Sequence, residues 1–366
     1  MANKKMRALL DAGQSVWLDY LRRGMTRSGE LSALIDDGLR GMTSNPTIFE
    51  QALSSTDYDD ELAELASSAR SEKDVFEALS IEDVREAADK FRRVYDATQG
   101  GDGFVSLEVS PGLARDTNGT IAEARRLWKA LDRPNVMIKI PGTREGWPAI
   151  EQCLREGINI NITLLFAVSH YQQVAEAYLK AIEARLQAGQ PIDRLASVAS
   201  FFVSRVDTEV DKRLEAKGSH LDLRGKVAVA GAQLAYALFL EMVRSDRWKK
   251  LAAQGARTQR LLWASTGTKN KAYSDVLYVE SLIAPDTIST VPVETLRLFE
   301  AHGKVARALD ENSGTAGRRI MDALSAAGID FEDVNRTLER EGIDKFVKSY
   351  DSLLGVIAEK RRALAR

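Results

Sequence analysis

The chain has 366 residues, 44% hydrophobic and 28% charged, a mixture that excludes a disordered or fibrous protein. Lys plus Arg total 51 against 53 for Asp plus Glu, a formal net charge of -2, so no global basic field exists to hold nucleic acid as principal partner. One cysteine, Cys153, cannot close an internal disulfide, and with three scattered histidines it offers no zinc-ligand cluster.

The opening Met-Ala-Asn-Lys-Lys-Met is positively charged but lacks the apolar core of a secretory signal. No Pro- or Gly-rich linker divides the chain, and residues 1–366 are read as a single domain. Eight short apolar runs recur: Ser15–Tyr20, Gly41–Asn45, Phe104–Val109, Val136–Ile140, Ile158–Leu164, Ala196–Phe202, Leu261–Ser265 and Thr287–Val291. Several are continuously apolar in the middle, as in a parallel sheet covered on both faces.

Helical spacing separates these runs. Ser80 is expected to cap a helix carrying Ile81, Val84, Ala88, Phe91 and Tyr95, with Asp83 in its first turn. Ile121, Ala124, Trp128 and Leu131 mark another, and Cys153 falls on an apolar helix side with Ile150 and Leu154, which predicts a packing role. Tyr171, Val174, Tyr178 and Ile182 define a helix that stops near Gly189-Gln190-Pro191. The apolar stretch Val227–Val243 contains Gln233 and Glu241, so it is read as a buried helix rather than a membrane span. Ile343, Phe346, Val347, Tyr350, Leu354 and Ile357 place a long amphipathic helix at the C-terminus. Eight strands alternating with helices, without a GxGxxG or Walker A loop, predict an α/β fold. The form expected is a single (β/α)8 TIM barrel with additional N- and C-terminal helices, in preference to an open doubly wound sheet. Cytoplasm is the default compartment, and the pattern leaves monomer and homodimer open.

Polar residues late in the apolar strands carry the chemistry. Asp19 ends Val-Trp-Leu-Asp-Tyr, Glu108 sits in Val-Ser-Leu-Glu-Val and Lys139 in Val-Met-Ile-Lys-Ile-Pro. A buried charge must pair, shift its pKa or serve a reaction. Barrel strands converge at their C-terminal ends, so three strands can bring these groups to one mouth. Asp19 could instead cap a turn or pair with Arg22 or Arg23, and Glu108 with Lys139 could be a structural salt bridge. Asn45, Thr163 and Ser200 add hydrogen-bonding groups at comparable positions. A lysine in water is only about 0.04% neutral at pH 7, whereas desolvation favours the neutral amine that attacks carbonyls to form a Schiff base. The protonated imine is an electron sink for carbon–carbon cleavage, given an acid/base for the substrate hydroxyl. Asp19 and Glu108 suit those parts, and the chemistry needs no metal or other cofactor.

After the sixth strand comes Ser204-Arg205, and after the seventh Ser265-Thr266-Gly267-Thr268-Lys269. These loops could hold a phosphate. Alternatively Arg205 pairs with Asp207 or Glu209 and Lys269 is an ordinary exposed lysine. His170, His220 and His302 show no triad pattern and read as structural or surface residues.

Thr-Ser-Asn-Pro-Thr-Ile-Phe at 43–49, Ser-Leu-Glu-Val-Ser-Pro at 106–111 and Ile-Lys-Ile-Pro-Gly-Thr at 138–143 resemble the transaldolase signatures. The match continues in order through 157–166, Ala-Ser-Phe-Phe-Val-Ser-Arg-Val-Asp at 199–207, Trp-Ala-Ser-Thr-Gly-Thr-Lys at 263–269 and Gly-Ile-Asp-Lys-Phe at 342–346. The resemblance implies a Schiff-base transferase that moves a dihydroxyacetone unit between sugar phosphates. By the matched motifs, Lys139 is implied as the Schiff-base lysine and Asp19 as the acid/base for the donor's C4 hydroxyl. Glu108 and Thr163 are implied to position the water of imine formation and hydrolysis. Asn45 and Ser200 would hold the dihydroxyacetone hydroxyls, and Arg205 with Ser265 the phosphate.

Many family members carry an arginine where this chain has Gly267, and Lys269 is the candidate to supply that charge. Two other readings are weighed. The related fructose-6-phosphate aldolases, which are lyases, carry glutamine and tyrosine where Glu108 and Phe202 stand, so both positions match the transferase. A catalytically silent sugar-phosphate-binding barrel is the third reading, against which the Asp19, Glu108 and Lys139 set counts. The extra length around 207–260 and 305–330 carries no assigned role.

Overall fold

The apolar runs are the eight strands of a closed parallel barrel in the computed structural model, which describes residues 4–65 and 70–364. Residues 1–3 of the charged opening segment lie outside that description. The strands are β1 (Gln14–Asp19), β2 (Gly41–Thr43), β3 (Phe104–Glu108), β4 (Val136–Pro141), β5 (Ile160–Leu165), β6 (Ser197–Phe202), β7 (Arg260–Ala264) and β8 (Thr287–Val291). Each pairs with the next, and β8 closes on β1 through Gln14↔Thr287 to Leu18↔Val291. Closure removes every sheet edge. The expected (β/α)8 barrel is therefore present, with the helix Lys4–Asp11 before it and Phe331–Leu364 after it.

Local chemistry explains where strand ends move. β2 stops at Thr43 because Asn45 is spent as a cap: its side chain accepts from the Ile48 N–H at 3.0 Å and starts the helix Pro46–Leu53. β5 begins at Ile160 because the Asn159 side chain bridges strands from below, donating to the Pro134 and Val136 carbonyls and accepting from Ala196 N–H.

The Ser80 cap is corrected. Ser80 lies inside one long helix, Glu72–Ala97, where its hydroxyl donates to the Glu77 carbonyl. The cap is Ser71, which forms a reciprocal capping box with Asp74. Asp83 is buried and accepts from Arg23 at 2.7 Å and from the Tyr58 hydroxyl at 2.6 Å. The other expected helices form as Thr117–Leu131 and Val168–Gln187. Cys153 is fully buried, its thiol pushed up to about 12 by burial, in keeping with packing rather than reactivity.

Val227–Arg244 is long and apolar enough, by length and composition alone, to cross a membrane. In the barrel's outer layer it buries one face, including Val227, Ala235, Tyr236 and Phe239. The extra residues after β8 lay the helix Ser313–Ala326 against it. Gly317 permits that approach, since a Cβ there would lie 2.7 Å from the Ala230 carbonyl oxygen.

The barrel's N-terminal end is closed by a polar plug. Buried Asp102 accepts from Trp17 Nε1 at 2.7 Å and from the Ser15 hydroxyl, and pairs with Arg260 at 3.3 Å. Arg260 also donates to the Thr287 carbonyl at 2.8 Å, so one network ties β1, β7 and β8.

Candidate active site

At the opposite end, the C-terminal ends of the strands surround a cavity of about 270 Å³. Nine of the ten residues singled out from the sequence line it: Asp19, Asn45, Lys139, Thr163, Ser200, Phe202, Arg205, Ser265 and Lys269. The tenth, Glu108, does not line it but stands directly behind Lys139. Glu108 and Lys139 are register partners on β3 and β4, so their side chains emerge together.

The Lys139 amine lies 3.4 Å from Glu108 Oε2, with only 5% and 4% of the two side chains exposed. It donates to the Ser44 carbonyl at 3.0 Å. Neither Glu108 oxygen has a well-formed hydrogen bond to a described residue, so this is a loose ion pair rather than a locked one. Burial pushes the Glu108 carboxyl above its ordinary value and outweighs the opposing pull of the Lys139 charge. Asp19 is held differently. Its Oδ1 accepts from the Thr43 hydroxyl at 2.8 Å, and Thr43 shares a 2.9 Å contact with the Thr290 hydroxyl. Neither neighbouring arginine takes it: Arg22 pairs with Asp57, and Arg23 with Asp83 and Glu61.

Thr163 is buried and its hydroxyl has no partner among the described residues. It sits where β5 breaks register against β6, next to Leu164 at φ +58°. A left-handed leucine is rare, and such backbone costs of order 1–3 kcal/mol. The bulge re-aims the strand's last residues at the mouth. Ser265, at φ +57°, makes a second left-handed turn on the same rim and shares a 2.9 Å contact with the Ser204 hydroxyl.

The neutral groups are oriented by their own bonds. With Asn45 Oδ1 engaged by Ile48, its amide nitrogen is left as a donor toward the cavity. Ser200 donates to Asn161 Oδ1 at 2.7 Å, which leaves its oxygen lone pairs free to accept. Asn161 in turn donates to Ser106, so three strands fix the Ser200 hydroxyl.

Arg205 pairs with neither Asp207 nor Glu209. Asp207 turns away to accept from Ala228 N–H and the Tyr278 hydroxyl, and Glu209 accepts from Arg213. The Arg205 guanidinium instead packs 5.2 Å from the Phe202 ring and 5.7 Å from that of Phe346. Burial lowers its pKa, opposed by the charges of Asp19 and Glu108. Lys269 is both exposed and cavity-lining.

The sequence reading missed several lining residues, among them Thr47 and Gln51 on the helix after β2, and Lys345 with Phe346 on the C-terminal helix. The matched Gly-Ile-Asp-Lys-Phe at 342–346 was the available signal for the last two. The three histidines stay outside the cavity: His170 packs on Trp147 and faces Glu339, and His302 faces Asp275.

Chemically, the site combines a buried amine, two carboxylates in unlike surroundings, directed hydroxyl and amide groups, and cations toward the rim. Comparison with known proteins agrees with it. Residues 16–357 match the family model described as transaldolase/fructose-6-phosphate aldolase. The chain is 52% identical over 362 residues to a transaldolase of Saccharopolyspora erythraea and 49% identical over 362 residues to one of Thermobifida fusca, with 98% of each chain covered in both cases. It is 42% identical over 378 residues to one of Trichodesmium erythraeum, covering 100% of this chain and 99% of that one. The chain belongs to the transaldolase/fructose-6-phosphate aldolase family and is an enzyme of the transaldolase type.

Proposed function

We propose that this enzyme transfers a dihydroxyacetone unit from sedoheptulose 7-phosphate or fructose 6-phosphate to glyceraldehyde 3-phosphate or erythrose 4-phosphate, through an imine on Lys139, in the cytoplasmic pentose phosphate pathway. The observation that supports it most is the buried Lys139 amine beside Glu108, inside a cavity whose rim carries Arg205 and Lys269.

In this reading the Lys139 amine adds to the donor's C2 carbonyl. Glu108, whose carboxyl holds its proton more readily for being buried, gives that proton to the departing oxygen through a water held by Thr163, and the iminium forms. Asp19 takes the C4 hydroxyl proton as the C3–C4 bond breaks, and the bonding pair moves onto the iminium to give an enamine. The aldose phosphate leaves while Asn45 and Ser200 hold the remaining three-carbon hydroxyls. The acceptor's aldehyde carbon then takes the pair, and Asp19 returns the proton to the new hydroxyl oxygen. Water, activated by Glu108, hydrolyses the imine and frees the product. Arg205, Ser265 and Lys269 hold the donor's phosphate until it departs with the aldose phosphate, and then receive the phosphate of the acceptor.

The test incubates the protein with fructose 6-phosphate, reduces with borohydride and locates the adduct by peptide mass spectrometry, with and without erythrose 4-phosphate. A three-carbon adduct on Lys139 and acceptor-dependent sedoheptulose 7-phosphate are expected. The Lys139→Met variant should fold, bind substrate and form neither. Release of free dihydroxyacetone without transfer identifies a lyase, and turnover by Lys139→Met removes the lysine from its role.

A further inference from the structure

Resting on that reading, we propose that Lys345, carried by the C-terminal helix, is a phosphate-binding residue that determines specificity for phosphorylated substrates. The helix Phe331–Leu364 crosses the barrel mouth, and Lys345 and Phe346 line the cavity beside Arg205, Ser265, Gly267 and Lys269. Arg205, Lys269 and Lys345 thus stand on one rim, and none of the three forms an ion pair or hydrogen bond with a described residue. Asp19 and Glu108 attract Arg205 from deeper in the barrel, whereas the charges acting on Lys345 are those of Arg205 and Lys269. Like charges repel one another, and an anion between them relieves that repulsion. Burial, then the charges of Arg205 and Lys269, lower the Lys345 pKa, which places it within their field. A phosphate monoester, with a charge near −2 and three acceptor oxygens, matches three cationic donors.

The helix is built to make this approach. Gly342, Lys345 and Phe346 fall at i, i+3 and i+4 and share one face. A Cβ at Gly342 would lie 3.0 Å from Leu164 Cδ2 and 3.5 Å from Arg205 Nη1, so glycine lets this turn close on the β5 bulge. Phe346 is buried with its ring against the Arg205 guanidinium. Ser349, one turn on, meets the Thr47 hydroxyl at 2.9 Å and ties the helix across the mouth. With these neighbours fixed, the amine of Lys345 overhangs the rim. Lys269 reaches the same corner: a Cβ at Gly267 would lie 3.8 Å from its Nζ. Lys269 thus stands at the position where residue 267 carries no side chain, and Lys345 lines the same cavity from a different element.

The test compares wild type with Lys345→Ala, Lys345→Arg and Lys348→Ala, the last removing an exposed charge from the same helix outside the cavity. For Lys345→Ala, the KM for fructose 6-phosphate and the inhibition constant of inorganic phosphate should each rise about tenfold, with kcat within about twofold. Lys345→Arg should recover most of the loss, and Lys348→Ala should stay within about twofold of wild type on both constants. An unchanged phosphate constant in Lys345→Ala overturns the proposal, as do an equal rise in Lys348→Ala and a wild type that phosphate does not inhibit. Borohydride trapping of unphosphorylated dihydroxyacetone on wild-type Lys139 separates the two levels, because its failure counts against the imine reading and not against the anion site.

Discussion

Asp19 and Glu108 are both carboxylates at strand ends, yet their surroundings divide them. Glu108 lies buried behind Lys139, its oxygens without a hydrogen bond to a described residue, whereas Asp19 sits at the cavity surface with the Thr43 hydroxyl bonded to it. An acid/base that acts at carbon–carbon cleavage contributes to the transition state more than to substrate affinity. Asp19→Ala should therefore lower kcat by roughly 10²- to 10⁴-fold with KM changed only a few-fold. Borohydride should then trap the whole hexose phosphate on Lys139 rather than a three-carbon fragment. A raised KM with kcat intact would contradict the role. Charge inside an apolar strand is what made Asp19, Glu108 and Lys139 legible, because burying it demands a reason. Lys345 gave no such signal: a lysine on an amphipathic helix looks like any solvated face. Which face overlies the mouth depends on tertiary placement that periodicity does not encode.

Among the elements, the strands were read to within two residues at each end, since burial on both faces leaves continuous apolar runs bounded by polar caps. The cap of Glu72–Ala97 was ambiguous for a physical reason: Ser71-x-x-Asp74 and Ser80-x-x-Asp83 present the same pattern, and burial of Asp83 against Arg23 decides between them. The β5 bulge was invisible, because Leu164 advertises no left-handed backbone.

The helix Ser204–Lys217, which carries Arg205, holds its own titrating group. Asp207 sits in its first turn, where the helix dipole favours a carboxylate, yet burial prevails and raises the pKa from 3.8 to about 6. The folded state therefore binds this proton more tightly than the unfolded chain does. Its stabilising contribution is complete below about pH 4 and is lost as pH rises through about 6. Asp207→Asn keeps an acceptor for Ala228 N–H and a donor for the Tyr278 oxygen. The variant should be more stable than wild type by about 1–3 kcal/mol near pH 8, with the gap closing toward about pH 4. Urea midpoints across that range measure it, and a gap independent of pH would place the titration elsewhere.

Across the whole molecule, two polar layers lie at the two ends of one barrel and differ in how completely they are satisfied. At the N-terminal end Asp102 has a donor on each side, from Ser15, Trp17 and Arg260, which makes it a staple between strands. At the C-terminal end the Glu108 oxygens and the Thr163 hydroxyl have no hydrogen-bond partner among the described residues, Glu108 keeping only its loose ion pair to Lys139, and the rim cations form no ion pair with a described residue, which costs stability but leaves groups available for chemistry. Parallel barrels place function at the C-terminal mouth and stability at the other end. Removing one partner of a buried ion pair strands the other charge, so Asp102→Ala should cost about 3–5 kcal/mol in urea unfolding. Below its unfolding transition, the same variant should retain kcat/KM within about twofold, because the plug and the cavity share no residue. Asp19→Ala should do the reverse and lose turnover with little change in midpoint. If Asp102→Ala lost turnover while its midpoint held, the two ends would be coupled through the strands, and the plug would belong to the catalytic apparatus rather than to the scaffold.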